Sequence, residues 1–448
     1  MKVVIYSSLS AEGFLSFVSS YTSKPSLSDQ WQGIRKRYPE VTFGIVASEG
    51  GAAQLFDFDE NKKEIIPEGI DTVLLPMEAD ADEFVAAIVG EAPDLVIAAT
   101  YFGGPMDWDA LKDAIIADDL EKKGIRTIAH SMFAATTFFD KWNTHQVMME
   151  KGFPVAKAVH IPSIYLTMAK DHPDIRSNVY LELILHQIRQ MSFPLIIKAS
   201  AGSGSQGISI VEDYDTAKRD ILSRSEPVDV IVEEMIPGEQ FGVEIHGDPG
   251  NYTILPPFKC AVNEQGITDP LHYMKIGPIT DEKYRIEELR SMLRRLATEM
   301  GLAVSANADL AFSDGKWYII EVNPRISGMS VTAAACEGRT PLEVIIESGL
   351  ERRINYNYPS ILEKCLNFRT MAPSEELAGF GEESVVVYME ISKVPSEYNP
   401  GNVDISMANI VLSGFADFSE MADKVRALHE KYPHVVTDKM IALVEQNL

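Results

Sequence analysis

Residues 308–325 read Ala308-Asp309-Leu310-Ala311-Phe312-Ser313-Asp314-Gly315-Lys316-Trp317-Tyr318-Ile319-Ile320-Glu321-Val322-Asn323-Pro324-Arg325. Two apolar-rich runs, around 306–312 and 316–322, flank the turn signal Ser313-Asp314-Gly315, so the stretch predicts a β-hairpin. Such a hairpin sets Asp309 and Glu321 across from each other, and Asn323, two residues after Glu321, falls on the same strand face. Two carboxylates and an amide carbonyl on one face are hard oxygen donors suited to Mg²⁺. That ion keeps much of its water and completes its shell with phosphate oxygens, so few protein ligands suffice. Arg325, just beyond, offers a bidentate donor fork for a phosphate or a carboxylate. A single acid in a hairpin is ordinarily solvated surface, but Tyr318-Ile319-Ile320 beside Glu321 reads as buried.

Upstream, the strand-like Phe193-Pro194-Leu195-Ile196-Ile197-Lys198 runs into Ala199-Ser200-Ala201-Gly202-Ser203-Gly204-Ser205-Gln206-Gly207, and a second strand, Ile208-Ser209-Ile210-Val211, comes next. A Gly/Ser loop between two strands makes a hairpin, and it matches neither the GxxxxGK[ST] nor the GxGxxG phosphate loop. A lysine ending an apolar strand is costly unless an anion meets it, and loop glycines let backbone N–H groups approach phosphate oxygens. The other reading is a hairpin tip with a snorkelling lysine. A third segment, Glu233-Glu234-Met235-Ile236-Pro237-Gly238-Glu239-Gln240, closes another strand, where backbone C=O and N–H groups can meet an adenine edge and a neighbouring side chain can reach ribose hydroxyls.

Around these segments the chain is 448 residues long with a net charge of −26, which argues against nucleic acid or an anionic membrane as the main partner but not against a small anion in a local cationic pocket. Three scattered cysteines, Cys260, Cys336 and Cys365, suggest neither zinc nor a disulfide framework. The opening apolar run, Val3 to Tyr6, is too short for a signal peptide. No stretch reaches the roughly 18 apolar residues of a membrane span, and the expected compartment is the cytoplasm.

Residues 1–135 alternate strands (Val3 to Tyr6, Phe43 to Val46, Thr72 to Leu75, Leu95 to Ala98, Thr127 to Ala129) with helical stretches (80–89 and 106–123), which predicts a parallel α/β sheet. Its 99–105 loop comes after a strand and is either a substrate loop or a plain turn. Residues 136–237 form a second unit containing the Gly/Ser loop, with a helix over 139–151. Residues 238–355 form a third unit holding the metal-ligand hairpin, with a helix over 284–300. Residues 356–448 form a small α+β tail: an irregular stretch over 356–382, strands at 384–394 and 410–413, and a helix over 418–432. That tail offers either a cover for the site or a homodimer face.

The order of these motifs resembles the ATP-grasp superfamily over about residues 95–350: Asp140-Lys141, Lys198 with its Gly/Ser loop, Glu233 to Gln240, then Asp309…Glu321-x-Asn323-x-Arg325. Phe102-Gly103-Gly104…Asp140-Lys141-Trp142…Lys151-Gly152-Phe153-Pro154 is similar to D-alanine–D-alanine ligases. Glu321-Val322-Asn323-Pro324-Arg325-Ile326-Ser327-Gly328 is closer to the ending of amino-acid ligases and biotin-carboxylase-like members. The resemblance implies an N-terminal parallel α/β domain, a two-subdomain ATP-grasp fold and a C-terminal α+β domain. It further implies that Lys141 and Lys198 contact nucleotide phosphates under the loop around Ser205 and Gly207. Glu233, Glu234 and Ile236 would lie at the adenine, and Glu239 or Gln240 would reach the ribose. Lys275, in Tyr273-Met274-Lys275, falls where another phosphate-binding lysine is placed. Asp309, Glu321 and Asn323 would hold two Mg²⁺, replaceable by Mn²⁺.

The implied activity is an ADP-forming ligase that turns a small-molecule carboxylate, an amino acid by preference, into an acyl phosphate and joins it to an amine, with Lys198 and Arg325 as catalytic cations. The alternatives are a small-molecule phosphotransferase and a nucleotide-binding protein without turnover. No histidine is assigned as the base; His145 on a helix reads as packing or surface.

Overall fold

The computed structural model describes the chain except residues 10–21, 53, 60, 62, 102–107, 167–171, 173, 175, 203–206, 225–227, 264–265, 267, 269–272, 351–361, 395–398, 400, 402 and 448. The first unit is a five-stranded sheet in the order Asp71–Leu75, Thr42–Ser48, Lys2–Ser7, Leu95–Ala98, Thr127–Ile128, with every neighbouring pair parallel. The run Val3 to Tyr6 is apolar at every position because both sheet faces are covered: Val3 and Ile5 enter one core cluster, Val4 and Tyr6 another. Helix Ala81–Gly90 starts at a capping box, with Asp80 accepting from the Glu83 N–H and Glu83 from the Asp80 N–H. A helix not foreseen in the sequence, Leu27–Arg37, buries Trp31 and Ile34 against the same sheet.

The second unit is a four-stranded antiparallel sheet in the order Ser209–Val211, Leu195–Ala199, Val230–Glu234, Ala158–Ile161, backed by helices Val179–Ile188 and Tyr214–Ser223. The helix expected over 139–151 begins later. Asp140 accepts from the Asn143 N–H and caps Lys141–Glu150, while the residues before it close a separate short helix, Met132–Phe138. That cap makes Lys141 the first residue of its helix.

The third sheet runs Lys316–Asn323, Val304–Ser313, Glu239–Asp248, Phe258–Cys260, Met274–Gly277, Lys364–Pro373, Ile405–Phe415, Val386–Lys393, Thr22–Lys24, with Asn251–Ile254 pairing to Glu239–Asp248. The stretch expected to be irregular, 356–382, contains a central strand, Lys364–Pro373, and helix Ser374–Gly381. Leu366 and Phe368 of that strand are fully buried, and the strand's one proline, Pro373, falls at its end, where no interior ladder bond is lost. Helix Ile286–Met300 packs Leu289, Leu293, Leu296, Ala297 and Met300 onto the back of the sheet. Helix Gly328–Cys336 packs on this sheet too, with the Asn367 Nδ2 donating to the Gly328 carbonyl. The expected mixed α/β and α+β architecture holds, and among the described residues no helix is long and apolar enough to cross a membrane.

Candidate active site

The second and third units face each other across a cavity of roughly 990 Å³. Twelve residues singled out in the sequence line it: Lys141, Lys198, Gly207, Glu233, Glu234, Ile236, Gln240, Lys275, Asp309, Glu321, Asn323 and Arg325. Ser205 lies outside the described residues, as do residues 102–105 of the 99–105 loop.

The hairpin turns through Asp314 and Gly315, whose φ angles of 50° and 73° are the left-handed pair of a two-residue turn. Ser313 pairs with Lys316, Phe312 with Trp317 and Leu310 with Ile319. Continued unbroken, that register would set Asp309 opposite Ile320. A bulge between Asp309 and Leu310 takes up one residue, so Glu321 stands opposite Asp309 and Asn323 opposite Asn307. Bulges re-aim side chains in this way beside functional sites. The Ile319 N–H donates out of the hairpin to the Pro154 carbonyl (2.8 Å), which ties the second unit to the bulge.

Asn323 Nδ2 donates to Asp309 Oδ2 (3.4 Å), and Arg325 Nη2 to Asn323 Oδ1 (3.2 Å). Burial raises the Asp309 pKa, with the neighbouring Glu321 charge adding and Lys275 and Arg325 opposing. For Glu321 burial also pushes upward, but Lys141, Lys198 and Arg325 outweigh it and the pKa falls. Two facing, half-buried carboxylates beside an amide oxygen are a donor set that a divalent cation suits, since it would relieve their mutual repulsion. Among the described residues no group of three or more His, Cys, Asp or Glu forms a metal cluster; a Mg²⁺ here needs ligand oxygens from a phosphate.

Lys141 Nζ donates to the Gly202 carbonyl (2.6 Å) and lies 3.3 Å from Glu321 Oε1. Lys198, 6% exposed, pairs with Glu233 Oε2 at 2.6 Å. Burial pulls its ammonium pKa down, yet Glu233 and Glu321 more than offset this and keep it charged. Lys275 reaches over Gly242: a β-carbon there would stand 3.5 Å from Lys275 Nζ and 3.2 Å from Met329 Sδ. At the strand end, the Glu234 and Met235 N–H groups donate to the carbonyls of Lys157 and Pro194, whereas the Ile236 N–H has no acceptor among the described residues. A flat heterocycle edge could use that donor.

Of the two ribose candidates, Gln240 lines the cavity and donates to the Gly266 carbonyl (2.6 Å). Glu239 does not line it: its carboxylate is held by the Tyr284 hydroxyl (2.7 Å) and Lys259 (2.5 Å). The one-residue offset puts Glu239 on the opposite strand face. His145 also lines the cavity, stacked on Trp142 with ring centroids 5.5 Å apart, and burial lowers its pKa. Arg224, not singled out in the sequence, lines the wall and donates to the Gly207 carbonyl (3.3 Å) and Ser209 Oγ (3.1 Å), securing the far end of the Gly/Ser loop.

Residues 139–329 match the family model of the ATP-grasp domain. Carbamoyl-phosphate synthase of Methanobrevibacter smithii is 26% identical over 289 residues, 63% of this chain and 68% of that protein. D-alanine–D-alanine ligase of Bacillus anthracis is 24% identical over 344 residues, 70% of this chain and 97% of the ligase. Of the carbamoyl phosphate synthase large chains from Methanothrix thermoacetophila, Myxococcus xanthus and Rubrobacter xylanophilus, the chain spans 27%, 23% and 25% of the length. The crystal structure of L-amino acid ligase from Bacillus licheniformis superposes with a TM-score of 0.61 at 14% identity, covering 96% of this chain and 97% of that one, a likeness of fold.

Proposed function

This chain carries an ATP-grasp domain, and from that premise we propose that it is an ATP- and Mg²⁺-dependent ligase that activates a carboxylate as an acyl phosphate and joins it to an amine. The observation that carries the reading is the convergence of Asp309 and Glu321, in register across the bulge, with Lys141 and Lys198 in one cavity. Its relatives at the level of sequence include D-alanine–D-alanine ligase and carbamoyl-phosphate synthase.

The division of labour is set by charge. A carboxylate must approach a triphosphate, so the site has to neutralise both. Lys141, Lys198 and Lys275 hold the phosphate oxygens, Ile236 offers its N–H to the adenine edge, and Gln240 reaches the ribose. Asp309, Glu321 and Asn323 would hold two Mg²⁺ (or Mn²⁺), which supply further charge neutralisation of the phosphates. A carboxylate oxygen of the substrate attacks the γ-phosphorus, the bond to the β-γ bridging oxygen breaks, and ADP leaves. The amine nitrogen then attacks the acyl carbon, loses a proton, and orthophosphate departs as the amide forms. Arg325 stabilises the oxyanions of both steps from beside the metal-ligand pair. An acyl phosphate hydrolyses if wet, so a Gly/Ser loop closing over the cavity suits the chemistry. A stoichiometric demand for ATP fits the cytoplasm.

The test is phosphate release from Mg-ATP over a panel of amino-acid pairs. Release that depends on an added amine, with ADP formed in equal amount, supports the ligase. ADP formation with a stable phosphate ester as product, or no turnover across the panel, rejects it.

A further inference from the structure

Arg325 stands in a short link, 324–327, between strand Lys316–Asn323 and helix Gly328–Cys336. The strand fixes the start of that link: the Arg325 N–H donates to the Asn323 carbonyl (2.9 Å), and Arg325 Nη2 to Asn323 Oδ1 (3.2 Å). So short a link makes the position of the guanidinium depend on where the helix begins. Two devices set that point. Ser327 caps the helix, accepting from the Met329 N–H (3.1 Å) while its own N–H donates to Ser330 Oγ (3.0 Å). Ser330 in turn meets Ser305 Oγ (2.8 Å) on the strand that bears Asp309. The second device comes from the C-terminal unit.

Asn367, 1% exposed on strand Lys364–Pro373, donates its Nδ2 to the Gly328 carbonyl (3.2 Å) and to the Thr332 hydroxyl. That hydroxyl itself donates to the same carbonyl (2.9 Å). The flanking Leu366 and Phe368 alternate to the opposite face and are buried in an apolar cluster. A buried amide carries a desolvation cost that its hydrogen bonds have to offset. In Asn367 that offset is incomplete, because Oδ1 is buried with no hydrogen-bond partner among the described residues. An apolar side chain would avoid the cost, but it could not hold the first carbonyl of the helix that follows Arg325.

The same residue adjoins a second cation. Antiparallel register puts Asn367 directly opposite Lys275, and residues so opposed share a face with β-carbons about 5 Å apart. Lys275 Nζ touches Sδ of Met329, the residue after Gly328, at 3.9 Å. Lys275 and Arg325 line the cavity and Asn367 does not, so its influence on the chemistry passes through its neighbours. We propose that Asn367 is a positioning residue for the reaction: by holding the start of helix Gly328–Cys336 it sets the Arg325 guanidinium where the oxyanions form, and the C-terminal unit thereby completes the active site. The proposal rests on the ligase reading above and adds to it a residue beyond the 139–329 match.

The experiment uses the amino-acid pair that gives the fastest amine-dependent phosphate release and measures kcat, the Kd of Mg-ATP and the melting curve. Asn367→Leu, which keeps the volume and removes the donor, is expected to lower kcat at least ~10-fold, since a misplacement of about an ångström can cost ~100-fold. Asn367→Ala carries the same expectation without adding bulk. Mg-ATP affinity in both stays that of the wild type, because Lys141, Lys198 and the strand end at Ile236 hold the nucleotide. Leu366→Val loosens the same strand from its other face and should lower the melting point with kcat unchanged. In an Arg325→Lys background Asn367→Leu makes no further difference, because there is no guanidinium left to place. The role is overturned by an unchanged kcat in both Asn367 variants, an equal fall in Leu366→Val, a full additive fall in the Arg325→Lys background, or a loss of Mg-ATP affinity that matches the loss of kcat. If neither Asn367 variant melts cooperatively, the residue serves the fold and the role is rejected as well. A wild type without amine-dependent release overturns the ligase reading itself, whereas such release with kcat kept in the Asn367 variants overturns only the positioning role.

Discussion

Lys198 is the residue on which the site's electrostatics turn. It ends a buried strand, meets Glu233 at 2.6 Å, and feels the charge of Glu321 across the cavity. It neutralises acids of the wall, and in the proposed function it becomes the phosphate clamp. Lys198→Ala or Glu321→Ala should each lower ATP turnover at least ~100-fold, the usual effect of losing a transition-state charge partner. Turnover near the wild-type rate in either variant rules out its assigned role. Glu244 makes a different prediction. It is 1% exposed on the same strand as Gln240, accepts from Ser305, and burial pushes its pKa up to about 8, with Ser305 and Ser330 opposing. A carboxyl with a raised folded pKa contributes fully below its unfolded pKa, and stability falls as pH climbs toward the folded value. The thermal midpoint of the wild type should therefore drop relative to Glu244→Gln between the ordinary carboxylate range and about pH 8. A gap between the two that does not change with pH would show the carboxyl ionised in the folded protein.

At the scale of elements, the hairpin Val304–Ser313/Lys316–Asn323 is both part of the core of the third unit and the carrier of the proposed metal ligands. Its turn needs left-handed backbone at Gly315, where a β-branched residue is strained. Gly315→Val should destabilise the fold by more than ~1 kcal/mol and reduce turnover along with it, read by melting and phosphate release on the same preparation. Full activity with a lowered melting point would mean that the ligand strands hold their register without the turn. Helix Ile286–Met300 reads plainly in the sequence because Leu289, Leu293 and Leu296 recur at helical spacing, and the structure buries all three. Leu293→Ala should cost ~2–5 kcal/mol of stability, measured by urea unfolding. The break at Asp140 was not legible, because Phe139 continues an apolar pattern and only the Asp140 cap shows where the second helix starts.

For the whole molecule, the decisive feature is that the strand bearing Lys275 has the C-terminal Lys364–Pro373 as its neighbour. Removing residues 356–448 would strip one edge of Met274–Gly277 and expose Met274 and Ile276, which lose Leu366, Phe368 and the rest of their core cluster. A chain ending at residue 355 should fail to yield monodisperse protein with a cooperative melt; a soluble, nucleotide-binding fragment would show the tail to be dispensable. Much was readable from sequence alone, since local chemistry carries it: the alternating strands and helices of the first unit, the Asp-Gly turn, the cations and acids of the nucleotide cavity. Those residues suffice to specify a hairpin with hard oxygen donors and a fold in which a triphosphate can be neutralised. Three things needed the assembled chain. The bulge beside Asp309 lies next to a bond from the Ile319 N–H to the Pro154 carbonyl in another unit. The choice of Gln240 over Glu239 depends on which strand face meets the cavity. The surroundings of Lys275 depend on pairing between Met274–Gly277 and Lys364–Pro373, strands about 90 residues apart in the chain. Residue type and spacing set propensity and charge, but long-range register decides which side chains share a face, and no local pattern encodes it.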